Sequence, residues 1–430
     1  MVHPWPIVSA KPTRPALALT LLLAINLFNY IDRYVLAAVE PQIRHAFFRD
    51  GDPNAMAQTG SLATAFLVSY MLLAPLFGLL ADRFSRWIII GISVAIWSLA
   101  SGASGLAASF GILLATRICV GIGEAGYGPA APTIIADLYP VEKRGRMLSF
   151  FYLAIPVGSA LGYVLGGIIG SKLGWRTAFY AVVPPGLILA TLCFLLRDPR
   201  QKSQVSQTKA PGLSAVPELL RIPSFLFNTA AMTAMTFAIG GMAFWIPSYI
   251  FEHRGTEFAS PNLGQINTIF GGITVVGGLL ATLLGGWAGD KLRPRFPSAY
   301  FLVSGVGMFL AFPATVAMLY VPFPYAWGCV FAAIFFLFFN TGPSNTALAN
   351  VTPPAIRATA FAVNILIIHA LGDAISPPLI GWIAGRANMN VAFLVVSGMM
   401  VLASAFWFWG GRYLAHDTAK VEAAAVPAEA

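Results

Sequence analysis

The sequence predicts an all-α membrane protein of twelve transmembrane helices arranged as two six-helix bundles. Three observations predict it. Of the 430 residues, 57% are hydrophobic and only 10% charged, whereas soluble domains carry about 25% charged residues. The apolar residues fall into runs long enough to serve as spans of about 20 residues. A series of Gly, Pro and Asp landmarks also recurs in the two halves of the chain. A globular core of this length could not bury so much apolar surface, so the excess must face lipid.

The runs follow in order. The first, 16–40, comes after Lys11 and Arg14 and resembles a secretory signal. It continues into Asn29, Asp32 and Arg33 with no small-residue cleavage site, so it reads as a retained first helix. Runs at 57–80, 87–107, 111–137, 146–170 and 176–196 complete an N-terminal bundle over residues 1–196. Residues 197–222 are rich in Gln, Ser, Lys and Pro and read as a flexible cytoplasmic linker. Runs at 225–250, 263–288, 298–320, 325–350, 356–384 and 391–413 form a C-terminal bundle over 223–430, with a short tail.

The net charge of +9 has a topological explanation. Most of the 26 Lys and Arg lie on the side that holds both termini and the loops after runs two, four, six, eight and ten. The opposite side holds Arg44, Arg49, Lys172, Arg176, Arg254 and Arg386. This asymmetry places both termini in the cytoplasm of an inner (plasma) membrane protein and accounts for the basic charge without a nucleic-acid partner. Cys119, Cys193 and Cys329 sit singly in apolar runs, which supports neither a disulfide framework nor a metal site. No cofactor is expected, and the chain reads as a monomer in the lipid bilayer.

The repeat pairs Gly78-Leu-Leu-Ala-Asp82-Arg83 with Gly286-Trp-Ala-Gly-Asp290-Lys291. It also pairs Gly128-Pro129 with Gly342-Pro343, Pro140 with Pro354, Gly158 with Gly372, and Gly167 with Gly381. Parallel repeats of this kind are related by an axis along the membrane normal. Gly78, Asp82, Arg83 and Arg86, with Asp290 and Lys291, read as a conformational latch at the cytoplasmic ends. Gly158, Gly162, Gly166 and Gly170 form a small-residue stripe, expected at the interface between the halves.

A charge inside a span costs roughly 2.5–3.5 kcal/mol on insertion scales, which makes such residues functional candidates. Helix 1 carries Asp32 and Arg33, helix 4 Arg117 and Glu124, and helix 11 His369 and Asp373. Arg117 and Glu124 lie two turns apart on one face, too far to pair directly, so each needs a partner on another helix. Asp32 and Arg33 point about 100° apart and serve different neighbours. Asp32 and Glu124 are the expected proton-titrating carboxylates; Arg33 and Arg117 compensate charge or bind a substrate anion. His369 and Asp373, one turn apart, are a relay or a structural pair. They join Asn26, Asn29, Tyr30, Phe244, Trp245, Phe335 and Phe339 as possible cavity lining.

Gly121-Ile-Gly123-Glu-Ala-Gly126 matches GxGxxG, but it lies inside an apolar helix rather than after a strand, so it reads as helix packing. The chain contains no HExxH, GxSxG or Walker motif, which argues against an enzyme or direct ATP driving.

The loop beginning Gly78-Leu-Leu-Ala-Asp82-Arg83-Phe84-Ser85-Arg86 resembles the signature of the major facilitator superfamily. Three stretches resemble the Spinster group within it, in a bacterial-type member: Asn26-Leu-Phe-Asn-Tyr-Ile-Asp-Arg33, Arg117-Ile-Cys-Val-Gly-Ile-Gly-Glu-Ala-Gly-Tyr127, and Arg146-Met-Leu-Ser-Phe-Phe-Tyr-Leu-Ala-Ile-Pro-Val-Gly-Ser159. Gly126 stands where many animal members have serine. The resemblance implies the major facilitator fold and alternating access. It also implies a small amphipathic substrate of the lysolipid or sphingosine-1-phosphate type, with protons as the coupling ion. Carried over residue by residue, it points to Asp32, Arg33, Arg117 and Glu124. The alternative is a proton-coupled organic-anion or sugar-acid symporter of the same superfamily.

Overall fold

A computed structural model describes residues 14–199 and 215–425, with a few side chains, Asp82 among them, outside the description. Among the described residues, twelve helices are long and apolar enough to cross a membrane. Span 1 is Pro15–Ala38, span 2 Ala55–Ala81, span 3 Arg86–Gly105, span 4 Phe110–Leu138, span 5 Phe150–Leu173 and span 6 Trp175–Phe194. Span 7 is Pro223–His253, span 8 Leu263–Leu292, span 9 Ala299–Tyr320, span 10 Ala326–Val351, span 11 Thr359–Arg386 and span 12 Met389–Ala423. Even parity puts the start of span 1 and the end of span 12 on one face, here called the terminal face; the other is the distal face.

Local chemistry sets the ends and breaks. Proline at the first helical position starts spans 1 and 7, where its missing N–H costs nothing. Ser109 caps span 4 and Asn262 caps span 8 through their side-chain oxygens. Spans 4 and 10 both break just before their Gly-Pro pair, after Glu124 and after Phe338. Span 11 contains a π turn, His369–Asp373, between its two α segments. Such bulges open the backbone ladder and recur at functional sites.

The glycine stripe of span 5 departs from expectation. Cβ atoms added at Gly158, Gly162, Gly166 and Gly170 would strike Leu27, Ile31, Ala38 and Val39 of span 1 and its end. The stripe therefore seats span 5 on span 1 inside the first half; it does not face the other half. A different face of span 5 meets span 8: a Cβ on Gly167 would lie 2.6 Å from that of Asn267, and one on Gly271 2.8 Å from the Ala160 carbonyl oxygen. Spans 2 and 11 approach as closely. A Cβ on Gly60 would stand 2.6 Å from the Pro377 carbonyl, and one on Gly385 2.0 Å from that of Pro53. These contacts all lie toward the distal ends. Nearer the terminal face, Gly78 packs on Pro129, and Gly277 and Gly278 pack on span 10, each within its own half. The halves are thus clamped together at the distal face.

The GxGxxG glycines are packing residues, as their place in a helix requires. Cβ atoms there would collide with Phe66 and Ser69 of span 2 and with Ser93 and Trp97 of span 3. Of the linker, residues 200–214 lie outside the described residues, as does Lys11. Its ends are anchored rather than loose. Asp198 binds Arg86 at 2.5 Å, and Val216–Leu219 form a helical turn with Leu219 fully buried. The last helix runs on to Ala425. There Asp417 accepts a hydrogen bond from the Ser224 N–H at 3.0 Å, capping span 7 from a distance, and Glu422 pairs with Arg293 at 2.9 Å.

Candidate functional site

The intramembrane charges of spans 1 and 4 converge. Adjacent on span 1, Asp32 and Arg33 turn to different helices, as the helical rotation between neighbours dictates. Arg33 directs Nε and Nη2 to one oxygen of Glu124, Oε2, at 2.8 and 2.6 Å. Asp32 Oδ1 accepts a hydrogen bond from Ser101 of span 3. Asn29, one turn before Arg33, lies beside Glu124. The Arg33 guanidinium is caged by the rings of Tyr30, Phe66 and Tyr70, at 5.0, 4.8 and 5.4 Å. Arg117 sits between Phe66 and Phe179, 5.9 Å from each ring.

Hydrogen bonding within the cluster is incomplete. Asp32 Oδ2, Glu124 Oε1, and Arg117 Nε and Nη1 are buried without a protein hydrogen-bond partner. A buried polar group in that condition normally costs about 1–3 kcal/mol, and more when charged. A purely structural ion-pair set would be expected to close these bonds. Asp32 and Arg117 are each 1% exposed and the Glu124 side chain 0%, while the Arg33 side chain keeps 21%. Arg33 is therefore the most exposed of the four.

The remaining candidates separate by position. Asn26 is buried, its amide donating to the Phe151 carbonyl at 2.8 Å. Trp245 is fully buried, with its indole N–H on the Pro377 carbonyl at 2.9 Å, and Phe244 is buried beside it. Neither aromatic lines open space in this state. Phe335 and Phe339 are half-buried, their ring centroids 5.5 Å apart. On the π turn, His369 Nδ1 lies 2.9 Å from Asp373 Oδ1, and both side chains are partly exposed. Gly240 of span 7 makes room for Asp373, whose Cβ would stand 2.4 Å from a Cβ added there.

Of the latch residues, Arg86 binds Asp137 at 2.7 Å and Asp198 at 2.5 Å, tying spans 3, 4 and 6 together. Arg83 is exposed, and the Asp82 side chain lies outside the described residues. In the second copy, Asp290 accepts from the Tyr300 hydroxyl at 2.8 Å, and Lys291 Nζ lies 4.5 Å from the Trp287 ring. Among the described residues no group of three or more His, Cys, Asp or Glu could hold a metal ion.

Sequence reasoning missed Ser101, Phe66 and Tyr70. A serine in an apolar helix and aromatics within a span are ordinary, so only the spatial meeting with Asp32 and Arg33 marks them. It also missed the helix Glu40–Phe47, which follows span 1 directly. Arg44 reads from sequence only as a charge on the side opposite the termini, although Glu40-Pro-Gln-Ile-Arg-His carries a proline-started helix signal.

Twelve apolar spans in two halves that meet at the distal face, with a buried charge cluster inside the first half, are the architecture of a membrane transporter. The Major Facilitator Superfamily profile matches residues 22–372. The chain is 35% identical to protein spinster homolog 1 of Xenopus laevis, covering 95% of this chain and 83% of that protein. It is 36% identical to protein spinster homolog 1 of Homo sapiens, covering 89% and 76%. The chain belongs to the Spinster family of the Major Facilitator Superfamily, and it is a multi-pass membrane transporter. Its fold matches that of a bacterial homologue of the human lysosomal transporter Spinster, crystallised inward-facing and unoccupied, with a TM-score of 0.82 at 24% identity over 95% of this chain and 99% of that one. A D-xylose–proton symporter matches with a TM-score of 0.69 at 19% identity over 91% and 97%.

Proposed function

We propose that the chain is a proton-coupled secondary transporter of a small amphipathic anion, a lysolipid or a sphingosine-1-phosphate-like molecule. Asp32 and Glu124 are the proton carriers in this reading, and Arg33 is the contact for the substrate anion. The observation that carries the reading is the incomplete pairing of the quartet: two arginines and two carboxylates are buried together, yet acceptors on both carboxylates and donors on Arg117 lack partners. Such a set has a second arrangement within reach.

The coupling follows from competition for Arg33. Its guanidinium binds Glu124 through two N–H groups and remains partly exposed. An anionic headgroup arriving at Arg33 takes over those donors, and Glu124, deprived of its counter-charge in a buried site, takes up a proton. Reversing the exchange releases both. Arg117 faces Asp32 and Glu124 with spare donors and compensates whichever carboxylate is ionised. The aromatic cage around Arg33 suits a ligand with an apolar chain behind its charge. The His369–Asp373 pair and Phe335 and Phe339 would line the opposite wall.

The same reading assigns the terminal face to the cytoplasm of a plasma membrane, from its excess of Lys and Arg. It takes residues 1–196 and 223–430 as the two rocking bundles and 197–222 as their linker. Each chain carries a whole quartet and works as a monomer. The test is flux into proteoliposomes under an imposed pH gradient, with a lysolipid and a sugar acid offered in parallel. Lysolipid flux that rises with the gradient supports the reading. Flux of the sugar acid alone would transfer the quartet to organic-anion symport, and flux of both that ignores the gradient would remove proton coupling.

A further inference from the structure

The distal clamp carries its own charged network, apart from the quartet. Glu40, 1% exposed at the end of span 1, accepts from Arg44 Nε at 3.0 Å, from Thr59 Oγ1 at 2.8 Å, and from Ser248 Oγ of span 7 at 2.7 Å. Arg44 also binds Glu252 of span 7 through Nη2. Beside it, His45 places Nδ1 3.0 Å from Asp50 Oδ1 and Nε2 3.0 Å from Glu252 Oε1. Asp50 belongs to the first half and Glu252 to the second, so the imidazole bridges them. Arg44, His45, Asp50 and Glu252, with Arg49 and Asp52, line a cleft of about 540 Å³ at the distal face.

The chemistry of the bridge is restrictive. A neutral imidazole carries one N–H, and an ionised carboxylate can only accept. With a carboxylate oxygen at each ring nitrogen, a neutral His45 satisfies one contact and sets lone pair against lone pair at the other. The imidazolium donates to both. We infer that His45 is a second proton-binding site, lying in the distal clamp, and that its proton helps hold the two halves shut at that face.

The charged groups around His45 are Arg49, Asp50 and Asp52 in the loop that follows its helix, Arg44 one residue earlier, and Glu252 on span 7, with Glu40 behind Arg44. Arg44 engages Glu252 Oε2 through a guanidinium that keeps its charge, so the contact whose donor count depends on a proton is that of the imidazole with Oε1. Acid at the distal face would favour the clamped state seen here, and alkali would loosen it. The site is partly exposed, with the His45 side chain at 55%. The expected change in the closed-to-open ratio is therefore modest, about two- to fivefold.

The experiment measures distances between spin labels at Lys172 and Ala387, exposed distal positions in opposite halves. Cys119, Cys193 and Cys329 are replaced by Ala, and the protein is reconstituted in nanodiscs at pH 5 and pH 8. An Asp32→Asn, Glu124→Gln background removes the quartet carboxylates, so the outcome is independent of their proposed role. The closed population should rise at pH 5 in that background. His45→Gln should abolish the shift, because Gln donates at one position without a charge change. His45→Arg, a permanent double donor, should keep the clamp closed at pH 8. Glu252→Gln should also abolish the shift, since its amide can donate to the neutral ring. A shift that survives His45→Gln, or one that is missing in the background itself, overturns the inference.

Discussion

Gly381→Ala is predicted to open the distal clamp. A Cβ there would stand 2.4 Å from the Met56 carbonyl oxygen, 2.5 Å from its carbon and 2.8 Å from the Ala57 nitrogen. Ordinary contact begins near 3.4 Å, so span 11 must withdraw from span 2 by about 1 Å. The opposing atoms are backbone, so no side chain can swing aside. The same helix pair is equally tight at Gly60, and Gly385 meets Pro53 just ahead of span 2, so a local tilt at Gly381 presses on both. Overpacking of this kind costs about 1–3 kcal/mol. Because the cost falls on the clamped state alone, it shifts the closed-to-open ratio about 5- to 150-fold toward open. The Lys172/Ala387 label pair reads the change directly. Gly272→Ala, with nothing within 4 Å of the added methyl, is the control and should leave the distribution alone. An unchanged closed population in a folded Gly381→Ala protein would refute the assignment of spans 2 and 11 as the clamp.

Three further outcomes are expected. Arg33→Lys should raise KM for an anionic substrate at least tenfold, because an ammonium cannot give two N–H groups to one carboxylate oxygen within an aromatic cage; concentration-dependent flux checks it. Asp417→Ala removes the cap on span 7 and should lower stability by about 1 kcal/mol, read by thermal unfolding in detergent. Glu257, in the loop after span 7, is held below the usual carboxylate range by Arg254, with the Phe323 N–H assisting against desolvation. A depressed folded value contributes stability above the unfolded value of about 4.3 and loses it as pH falls toward the folded one. Glu257→Gln should therefore lower thermal stability at pH 7, with the deficit fading below about pH 4.

The fold was legible because lipid enforces a simple code: each span is a run of apolar residues, and Gly-Pro pairs mark the breaks in spans 4 and 10. The quartet was legible for the same reason, since Asp32, Arg33, Arg117 and Glu124 are conspicuous in apolar helices. Their pairing was partly legible. Helix rotation separated Asp32 from Arg33 and denied Arg117 a bond to Glu124, but nothing in the sequence named Ser101 as the Asp32 partner. The glycine stripe shows the limit. Spacing reveals that span 5 approaches a helix closely, yet it cannot say which helix, and the partner is span 1. The distal network was hidden because Arg44, His45 and Glu252 look like interfacial charges until the two halves are brought together.

In the proposed mechanism, moving the solute moves protons through Asp32 and Glu124. The most direct measurement is the internal pH of proteoliposomes, followed with a trapped dye while lysolipid is added outside without any imposed gradient. A substrate-dependent pH change is expected in the native protein and should disappear in Glu124→Gln and in Asp32→Asn proteins that still bind lysolipid. An undiminished pH change in both variants, or lysolipid entry in the native protein with no pH change, would contradict it.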